Sequence, residues 1–484
     1  MLMRWGTQGD VPLCPITGRK MKRHMKAKIG IIGYILLLLG SFLIPSTEMI
    51  SLAGIRTVCL TVAFMLLLVT DALPLSITCW ITLGVMPLIG VSPGFGAALT
   101  GFSNPVCFFI LASFGISAAF TTLPLSKRIM GGLLRKYGKS MKSFLLALMI
   151  CILPITAFVS SVPTVTLFMA IALSFLELFD DEDAKKRTGK AFMIAIPVTC
   201  LFGGIATPVG SSMNLLAISF LEQHTSKSIS FVKWMSFGIP FVLLVLPVAW
   251  QLIYRIYKPA EIDPEMIQTF IEKLAVPKKM DAKEKKLLAI TGIMVILWVS
   301  SSWVDQINVM VVAVLGTTAM FLPGIEILEW KTFIKSVNFD SFFLVGTVLS
   351  LGAAITNNGI SDCIVMLFPA NNMPLPLLVG FTVFLVFMIL VIIPVGPSVV
   401  TILALPLITL AGTMGHDPTI VIIALAMACG NCYLLPFDTI PLITYSAGYY
   451  SVPDMLKSTL PLQICVLAVI TFILWIANAV PFFF

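Results

Sequence analysis

The chain has 484 residues, of which 58% are hydrophobic and only 11% charged, and its mean hydropathy is +1.02. A water-soluble protein of this length has no core large enough to bury so much apolar surface, whereas a bilayer accommodates it in helices of about 20 residues. The net charge of +8 does not indicate a nucleic-acid partner, because the cluster "RKMKRHMKAK" (19–28) is typical of an anchor on the anionic inner leaflet. The composition therefore predicts an all-α polytopic membrane protein.

About 11 transmembrane helices are predicted. They lie at about 29–46, 53–70, 74–91, 104–123, 190–207, 236–257, 287–303, 307–323, 341–358, 418–447 and 457–478. Two further pairs of short apolar segments are each broken by polar, glycine or proline residues. The first pair (143–178) contains "FVSSVPT" and the second (375–413) contains "PVGPS".

The placement of Lys and Arg predicts that both broken pairs are re-entrant hairpins. With the N-terminus cytoplasmic and each pair entering and leaving on one face, every Lys and Arg falls inside except Arg56, Lys227 and Lys233. Treating the pairs as full spans would invert the charges between them and weaken the positive-inside asymmetry. The pattern indicates a multi-pass protein of the inner or plasma membrane.

The chain resembles itself in its two halves. "PVCFFILASFGISAAFTTLPLSKRI" (105–129) matches "FDSFFLVGTVLSLGAAITNNGISDCI" (339–364), and each is followed by a hairpin and an interrupted helix. The segment after the first copy is predicted inside and its counterpart outside, so the repeats are inverted. The predicted layout is a basic cytoplasmic segment 1–28, a first half 29–257 with hairpin 143–178 and interrupted helix 190–222, a cytoplasmic loop 258–286, and a second half 287–484 with hairpin 375–413 and interrupted helix 418–447.

Inverted repeats with broken segments at matching positions are the sequence signature of a central site in secondary transporters. Unwound backbone at membrane depth is tolerated only where it lines a cavity inside the protein. The start of a half-helix presents unpaired N–H groups that favour an anion, and the carbonyl oxygens at the end of a half-helix favour sodium. Two hairpin tips that face each other would bind an anion together with cations.

From about residue 30 the chain resembles the divalent anion:sodium symporter family, the sodium/sulfate–dicarboxylate transporters. The resemblance rests on "FSNPVCFFILASFGIS", "GGIATPVGSSMNLL", "ISFVKWMSFGIPFVLLVLPVAW" and "SVPDMLKSTLP". It implies eleven spans, two re-entrant hairpins, a homodimer and elevator-type alternating access. It also implies sodium-coupled uptake, or exchange, of dicarboxylates, sulfate or related anions.

In that family each hairpin tip usually carries Ser-Asn-Thr. Here the tips read Ser160-Ser161-Val162 and Gly396-Pro397-Ser398, so both asparagines are replaced. The resemblance implies substrate binding by the backbone and hydroxyl groups of Ser160, Ser161, Val162, Ser211, Pro397, Ser398 and Thr439. It implies a first sodium site at Thr156, Ser160, Ser161, Gly210 and Asn214, and a second, altered site near Gly396 and Asp438.

Asp438 stands where the family usually has a small residue. A carboxylate at membrane depth is costly unless it is paired, protonated or bound to an ion. It could cap the following half-helix, couple transport as a proton carrier or sodium ligand, or contact a cationic part of the substrate. These three interpretations remain open at this point.

We therefore expect a secondary active transporter for a small divalent anion. Sodium is the expected coupling ion, and no cofactor is expected. Sodium-independent exchange or proton coupling is the alternative. A channel fits less well, because channels usually repeat their filter around a symmetry axis. An enzyme is not expected, since no histidine or cysteine pairs with a base. With three histidines and no second ligand near any of them, no transition-metal site is expected.

Overall fold

The computed structural model describes residues 16–46, 50–70, 72–137, 140–274, 279–304, 306–360, 373–392 and 394–479. All regular secondary structure within these ranges is helical, in 21 α-helices and two short 3₁₀ helices. The predicted N-terminal segment 1–28 lies partly, and residue 393 of the second hairpin wholly, outside the described residues.

The helices of the first half are α1 Ile16–Gly40, α2 Leu52–Thr70, α3 Leu75–Leu88, α4 Phe95–Ala98, α5 Pro105–Thr122, α6 Leu125–Tyr137, α7 Met141–Thr156, α8 Ser161–Leu176, α9 Glu182–Ala206, α10 Ser212–His224 and α11 Phe231–Tyr257. The 3₁₀ helices are Thr100–Ser103 and Pro208–Gly210.

The remaining helices are α12 Pro264–Lys273, α13 Ala282–Ser300, α14 Val309–Ala319, α15 Trp330–Ser336, α16 Phe339–Asn357, α17 Leu375–Ile392, α18 Gly396–Thr413, α19 Pro418–Cys429, α20 Thr439–Tyr445 and α21 Val452–Ala479. Helix α1 begins inside the predicted polar segment 1–28, and α12 and the first turn of α13 lie within the predicted loop 258–286.

Six helices of the described residues are long and apolar enough to cross a membrane, and eight shorter apolar helices accompany them. The protein is therefore a multi-pass membrane protein with an all-helical fold. The exact number of spans, the re-entrant course of the hairpins, the inverted repeats, the homodimer and the cytoplasmic N-terminus remain predictions.

Helix α9 is the buried centre of the first half, since 89% of its most apolar 18-residue stretch is buried inside the protein. It starts eight residues before the predicted span at 190, because the Asp181 side chain accepts a hydrogen bond from the Asp183 N–H and two acidic residues occupy its first turn. Such a start suits the positive end of the helix dipole. The helix ends at Ala206, because Pro208 has no N–H to continue the ladder.

Each hairpin packs beside an interrupted helix. Helices α7 and α8 contact α9, and helices α17 and α18 contact α19. The second piece of each interrupted helix then crosses to the other half: α10 packs on α18, and α20 packs on α8 and α9. This reciprocal arrangement brings both tips and both breaks to one place.

Candidate functional site

A hydrogen-bond network organises the break in the first interrupted helix. The Thr207 hydroxyl donates to the Ala157 carbonyl of the hairpin tip and accepts from the Gly210 N–H at 3.1 Å. The Asn214 Nδ2 donates to the carbonyl oxygens of Gly204 and Thr207, both at 2.9 Å. These hydrogen bonds hold the two sides of the break together and attach the break to the first hairpin.

The amide of Asn214 has one unused atom. Its side chain is fully buried, and its Oδ1 has no hydrogen-bond partner among the described residues. The two Nδ2 bonds fix which end of the amide carries the oxygen, because backbone carbonyls can only accept. A buried oxygen without a donor fits a cation at the predicted first sodium site.

The first hairpin tip is held by a hydrogen bond to α5. The Ser160 N–H donates to the Ser117 hydroxyl at 3.0 Å, and Ser160 is the residue that precedes α8. The Ser161 hydroxyl lies 3.5 Å from the Cys200 carbonyl. The tip therefore presents the N-terminus of α8, with half-buried serines, beside the break of α9.

The second tip is built from different chemistry. Helix α18 begins at Gly396 and carries Pro397 in its first turn. A Cβ on Gly396 would collide with the Met213 sulfur of α10, so this glycine allows the close contact between the two halves. Ser398 is fully buried, and its hydroxyl has no partner among the described residues.

Asp438 caps the second piece of the second interrupted helix. It occupies the position before α20, and its Oδ2 accepts from the Ile440 N–H at 3.3 Å. The capping interpretation therefore describes one of its contacts. The side chain is only half-buried, and it also lines a cavity between the two tips and the two breaks, which we call the central cavity.

One cavity of about 620 Å³ joins these parts. Its wall includes both tips and both breaks, and the predicted residues that line it are Ser160, Ser161, Val162, Gly210, Ser211, Pro397, Asp438 and Thr439. The volume suits a small organic or inorganic ion with water. The N-termini of α8, α10 and α18 all meet it, and helix N-termini favour negative charge.

Four predicted residues lie behind the wall of this cavity: Thr156, Asn214, Gly396 and Ser398. The predicted substrate contact of the Ser398 hydroxyl is therefore not present in this structure. Successive helical residues point about 100° apart, so when Pro397 faces the cavity its neighbour turns into the protein. Asn214, a residue of the predicted first cation site, is buried behind the cavity wall.

The start of α16 adds polar groups that the sequence did not single out: Asn338, Asp340 and Ser341 line the opposite wall. The Asp340 carboxylate accepts from the Ser76 N–H at 3.0 Å and from the Ser76 hydroxyl. The sequence signal that could have identified Asp340 is a carboxylate at the start of the apolar repeat "FDSFFLVGTVLSLG". Asp340 and Asp438 are the charged side chains on the wall among the described residues, and no Lys or Arg accompanies them there.

Comparison with known families matches residues 26–480 to the family described as the sodium:sulfate symporter transmembrane region. A sodium-dependent dicarboxylate transporter of Staphylococcus aureus, SdcS, is 24% identical over 459 residues, which cover 88% of this chain and 86% of that protein. A protein of Cupriavidus necator named only as a membrane protein is 24% identical over 353 residues, or 68% of each chain.

Two solved structures share the fold at low sequence identity. MtrF of Neisseria gonorrhoeae, described as illuminating a class of antimetabolite efflux pumps, matches with a TM-score of 0.56 at 11% identity, over 93% of this chain and 94% of its own. The YdaH transporter of Alcanivorax borkumensis matches with a TM-score of 0.55 at 12% identity, over 94% of this chain and 99% of its own.

Proposed function

Because the chain belongs to the sodium:sulfate symporter family, and is therefore a secondary transporter and not an enzyme, we propose that it moves a small divalent anion together with sodium. The observation that carries this proposal is the single cavity where both hairpin tips and both helix breaks meet. A dicarboxylate is transported by the similar S. aureus protein, and sulfate appears in the family description.

The anion would bind to backbone and hydroxyl groups, since basic side chains do not line the described wall. The N–H groups at Ser161–Val162, with the hydroxyls of Ser161, Ser211 and Thr439, would hold it. At the start of α18, Pro397 faces the cavity but has no N–H, and the Ser398 N–H donates to the Val395 carbonyl. Cations behind the tips would lower the electrostatic cost of moving the anion. The unpartnered Asn214 oxygen supports one such cation.

The proposed movement is of the elevator type. The hairpins and interrupted helices, α7–α10 and α17–α20, would move as one block against the remaining spans, which serve as the scaffold. The cavity lies at the border of these groups, because Asn338 and Asp340 belong to the scaffold and Ser161 and Asp438 to the block. Alternating access needs two states whose balance shifts when ligands bind.

The test is uptake of labelled succinate and sulfate into proteoliposomes, with and without an inward sodium gradient. We expect sodium to stimulate uptake and Ser161→Ala to reduce it. Thr318→Ala is the matched control, because the hydroxyl of this exposed threonine on α14 donates to the Val314 carbonyl of its own helix and the residue does not line the cavity. Equal uptake with and without sodium would reject the coupling.

Sodium-independent exchange or proton coupling is the second candidate, favoured by the position of Asp438 on the cavity wall. Exchange predicts uptake that rises only when unlabelled anion is loaded inside the vesicles. Proton coupling predicts uptake driven by an inward proton gradient and lost in Asp438→Asn. Either result in the absence of sodium would replace the sodium-coupled mechanism.

A further inference from the structure

The described wall of the central cavity carries acidic side chains but no basic ones. Asp340 and Asp438 line it, and no described Lys, Arg or His does. A carboxylate at membrane depth is costly unless it is paired, protonated or bound to an ion. A substrate with negative charge alone would meet like charge here, and like charges that face each other in a binding site repel.

The positive partner of these two carboxylates is missing among the described residues. Their described hydrogen bonds come from neutral groups: the Ile440 N–H for Asp438, and the Ser76 N–H and hydroxyl for Asp340. The ion pairs within the described ranges involve other carboxylates. An ionised carboxylate has about four acceptor positions, so each one keeps capacity for a ligand.

The backbone donors of the cavity lie on the side of the first half. Ser161 and Val162 are the first residues of α8, and Ser212 is the first residue of α10. The first N–H groups of a helix have no acceptor within it, and all three residues line the cavity. This side therefore suits a negatively charged group.

The second half presents a different surface. At the start of α18, Pro397 has no N–H, and the Ser398 N–H donates to the Val395 carbonyl at 3.1 Å. The charged group that this half turns to the cavity is Asp438. The two sides are thus complementary to a ligand that is negative at one end and carries a positive group at the other.

One small ligand can contact both sides. The α8 N-terminus and Asp438 line the same cavity of about 620 Å³. Helix α20, which begins directly after Asp438, packs on α8. A ligand bound at the first tip therefore lies beside the helix that Asp438 caps.

We propose that the transported anion is an amino dicarboxylate, which is a dicarboxylate that also carries an ammonium group, and that Asp438 accepts hydrogen bonds from this ammonium group. One carboxylate of the ligand would lie at the N-terminus of α8, and the hydroxyls of Ser211 and Thr439 are donors for the other. The inference rests on the proposed function, because it names the substrate of that same site.

The surroundings of Asp438 favour an ammonium group over a bare cation. The side chain is only half-buried and lines a roomy cavity, and its described partner is an N–H group, which is not a cation ligand. In other transporters sodium lies among several oxygens, such as the carbonyls of half-helix ends. An ammonium group arrives with the substrate and brings three donors of its own.

The test is a comparison of three ligands of the same chain length, bound to the purified protein in sodium chloride and measured by titration calorimetry. Succinate has no substituent, L-malate carries a hydroxyl, and L-aspartate carries an ammonium group on the same carbon. We expect L-aspartate to bind at least about tenfold more tightly than L-malate, because a hydrogen bond to a charged group contributes that factor or more. Equal affinities, or tighter binding of L-malate or succinate, would overturn the proposal.

Asp438→Asn tests the contact itself. Asparagine caps helices as well as aspartate does, so the variant removes the charge and keeps the cap. We expect the affinity for L-aspartate to fall about tenfold or more, and the affinity for L-malate to stay unchanged or rise. A general structural defect would lower both affinities together. An unchanged ratio of the two affinities would contradict the ammonium contact.

Asp181→Asn is the matched control. Asp181 caps α9 through the same kind of bond, since its side chain accepts from the Asp183 N–H at 3.0 Å, but it does not line the central cavity. We expect this variant to keep the wild-type preference for L-aspartate. A loss of preference as large as in Asp438→Asn would assign the effect to helix capping and reject the contact.

Uptake into proteoliposomes separates this proposal from the proposed function. Sodium-driven uptake of succinate or sulfate, without uptake of L-aspartate, would reject the amino dicarboxylate and leave the transport function standing. Uptake of L-aspartate that Asp438→Asn abolishes, with no effect of sodium, would support the ammonium contact and reject the sodium coupling. A protein that neither binds nor transports any of these compounds would reject both.

Discussion

The two interrupted helices occupy matching places in the two halves but are stabilised in different ways. The first break closes on itself: Thr207 and Asn214 together bond to the hairpin tip and to both sides of the break. The second break makes fewer bonds of its own and is supported from α21 through Thr459 and Gln463. Related sequence positions therefore do not guarantee the same polar network.

The buried atoms without partners differ accordingly. Near the first break, the Asn214 Oδ1 has no partner among the described residues. Near the second break, the atoms without a described partner are Ser398 Oγ, Asn431 Oδ1, Tyr433 OH and Gln463 Oε1. Of these atoms, Ser398 Oγ belongs to the second tip, whereas Asn431 Oδ1 and Gln463 Oε1 lie on the unwound stretch and on α21.

The largest expected difference between the halves concerns the two amides. In sodium-free buffer, Asn214→Leu should lower the free energy of unfolding by about 1–3 kcal/mol, because the buried Gly204 carbonyl loses its donor, whereas the Thr207 carbonyl keeps the Gly210 N–H. Gln463→Met should cost less than about 1 kcal/mol, since the Asn431 carbonyl keeps the Tyr433 N–H and an unpartnered oxygen is removed. Unfolding curves in detergent measure both. Equal losses would mean that the two breaks are equally dependent on their amides.

The next difference concerns the glycines. A Cβ on Gly210 would lie 2.7 Å from the Gly204 carbonyl oxygen and 3.0 Å from the Gly204 Cα, and backbone cannot move aside. Gly210→Ala should therefore cost about 1–3 kcal/mol as overpacking and remove most uptake.

Gly396→Ala is the matched variant in the second half. Its main obstacle is the flexible Met213 side chain, which can adopt another rotamer, so the loss should stay below that of Gly210→Ala. Thermal unfolding and uptake should be measured together. A larger loss in Gly396→Ala would show that the second tip is the more rigid one.

Asp438→Asn separates capping from coupling. Asparagine caps helices as well as aspartate does, so the unfolding temperature should change little, by the equivalent of about 0.5 kcal/mol or less. If the carboxylate contributes to coupling, the sodium dependence or the pH dependence of uptake should change. Wild-type uptake at every pH and sodium concentration would leave Asp438 with capping alone.

The smallest effect is expected for Ser398→Ala. Its hydroxyl is buried without a described partner and lies outside the cavity wall, so its removal should leave stability and uptake unchanged or slightly higher. Ser161→Ala, at the matching tip, should reduce uptake because Ser161 lines the cavity. A clear loss in Ser398→Ala would show that this hydroxyl reaches the anion in another state of the transport cycle.

Much of the fold followed from local rules. The breaks at Thr207-Pro208 and at 394–398 are visible in the sequence because proline and glycine interrupt long apolar segments. The cavity residues Gly210 and Ser211 after the first of these breaks, and Ser160 and Ser161 at the first hairpin tip, could be named for the same reason. Asp340 could not, because a lone acidic residue at a helix start has many structural uses.

The sequence by itself determined the membrane character, the family and the places where helices stop, since these depend on composition and on residues that are close along the chain. Only the tertiary structure decided which side of each break faces the central cavity, why Ser398 turns inward, and that Gln463 meets the Asn431 carbonyl 32 residues away. The physical reason is that a hydrogen bond between distant segments depends on how whole helices pack. No periodicity or motif along the chain encodes that packing residue by residue.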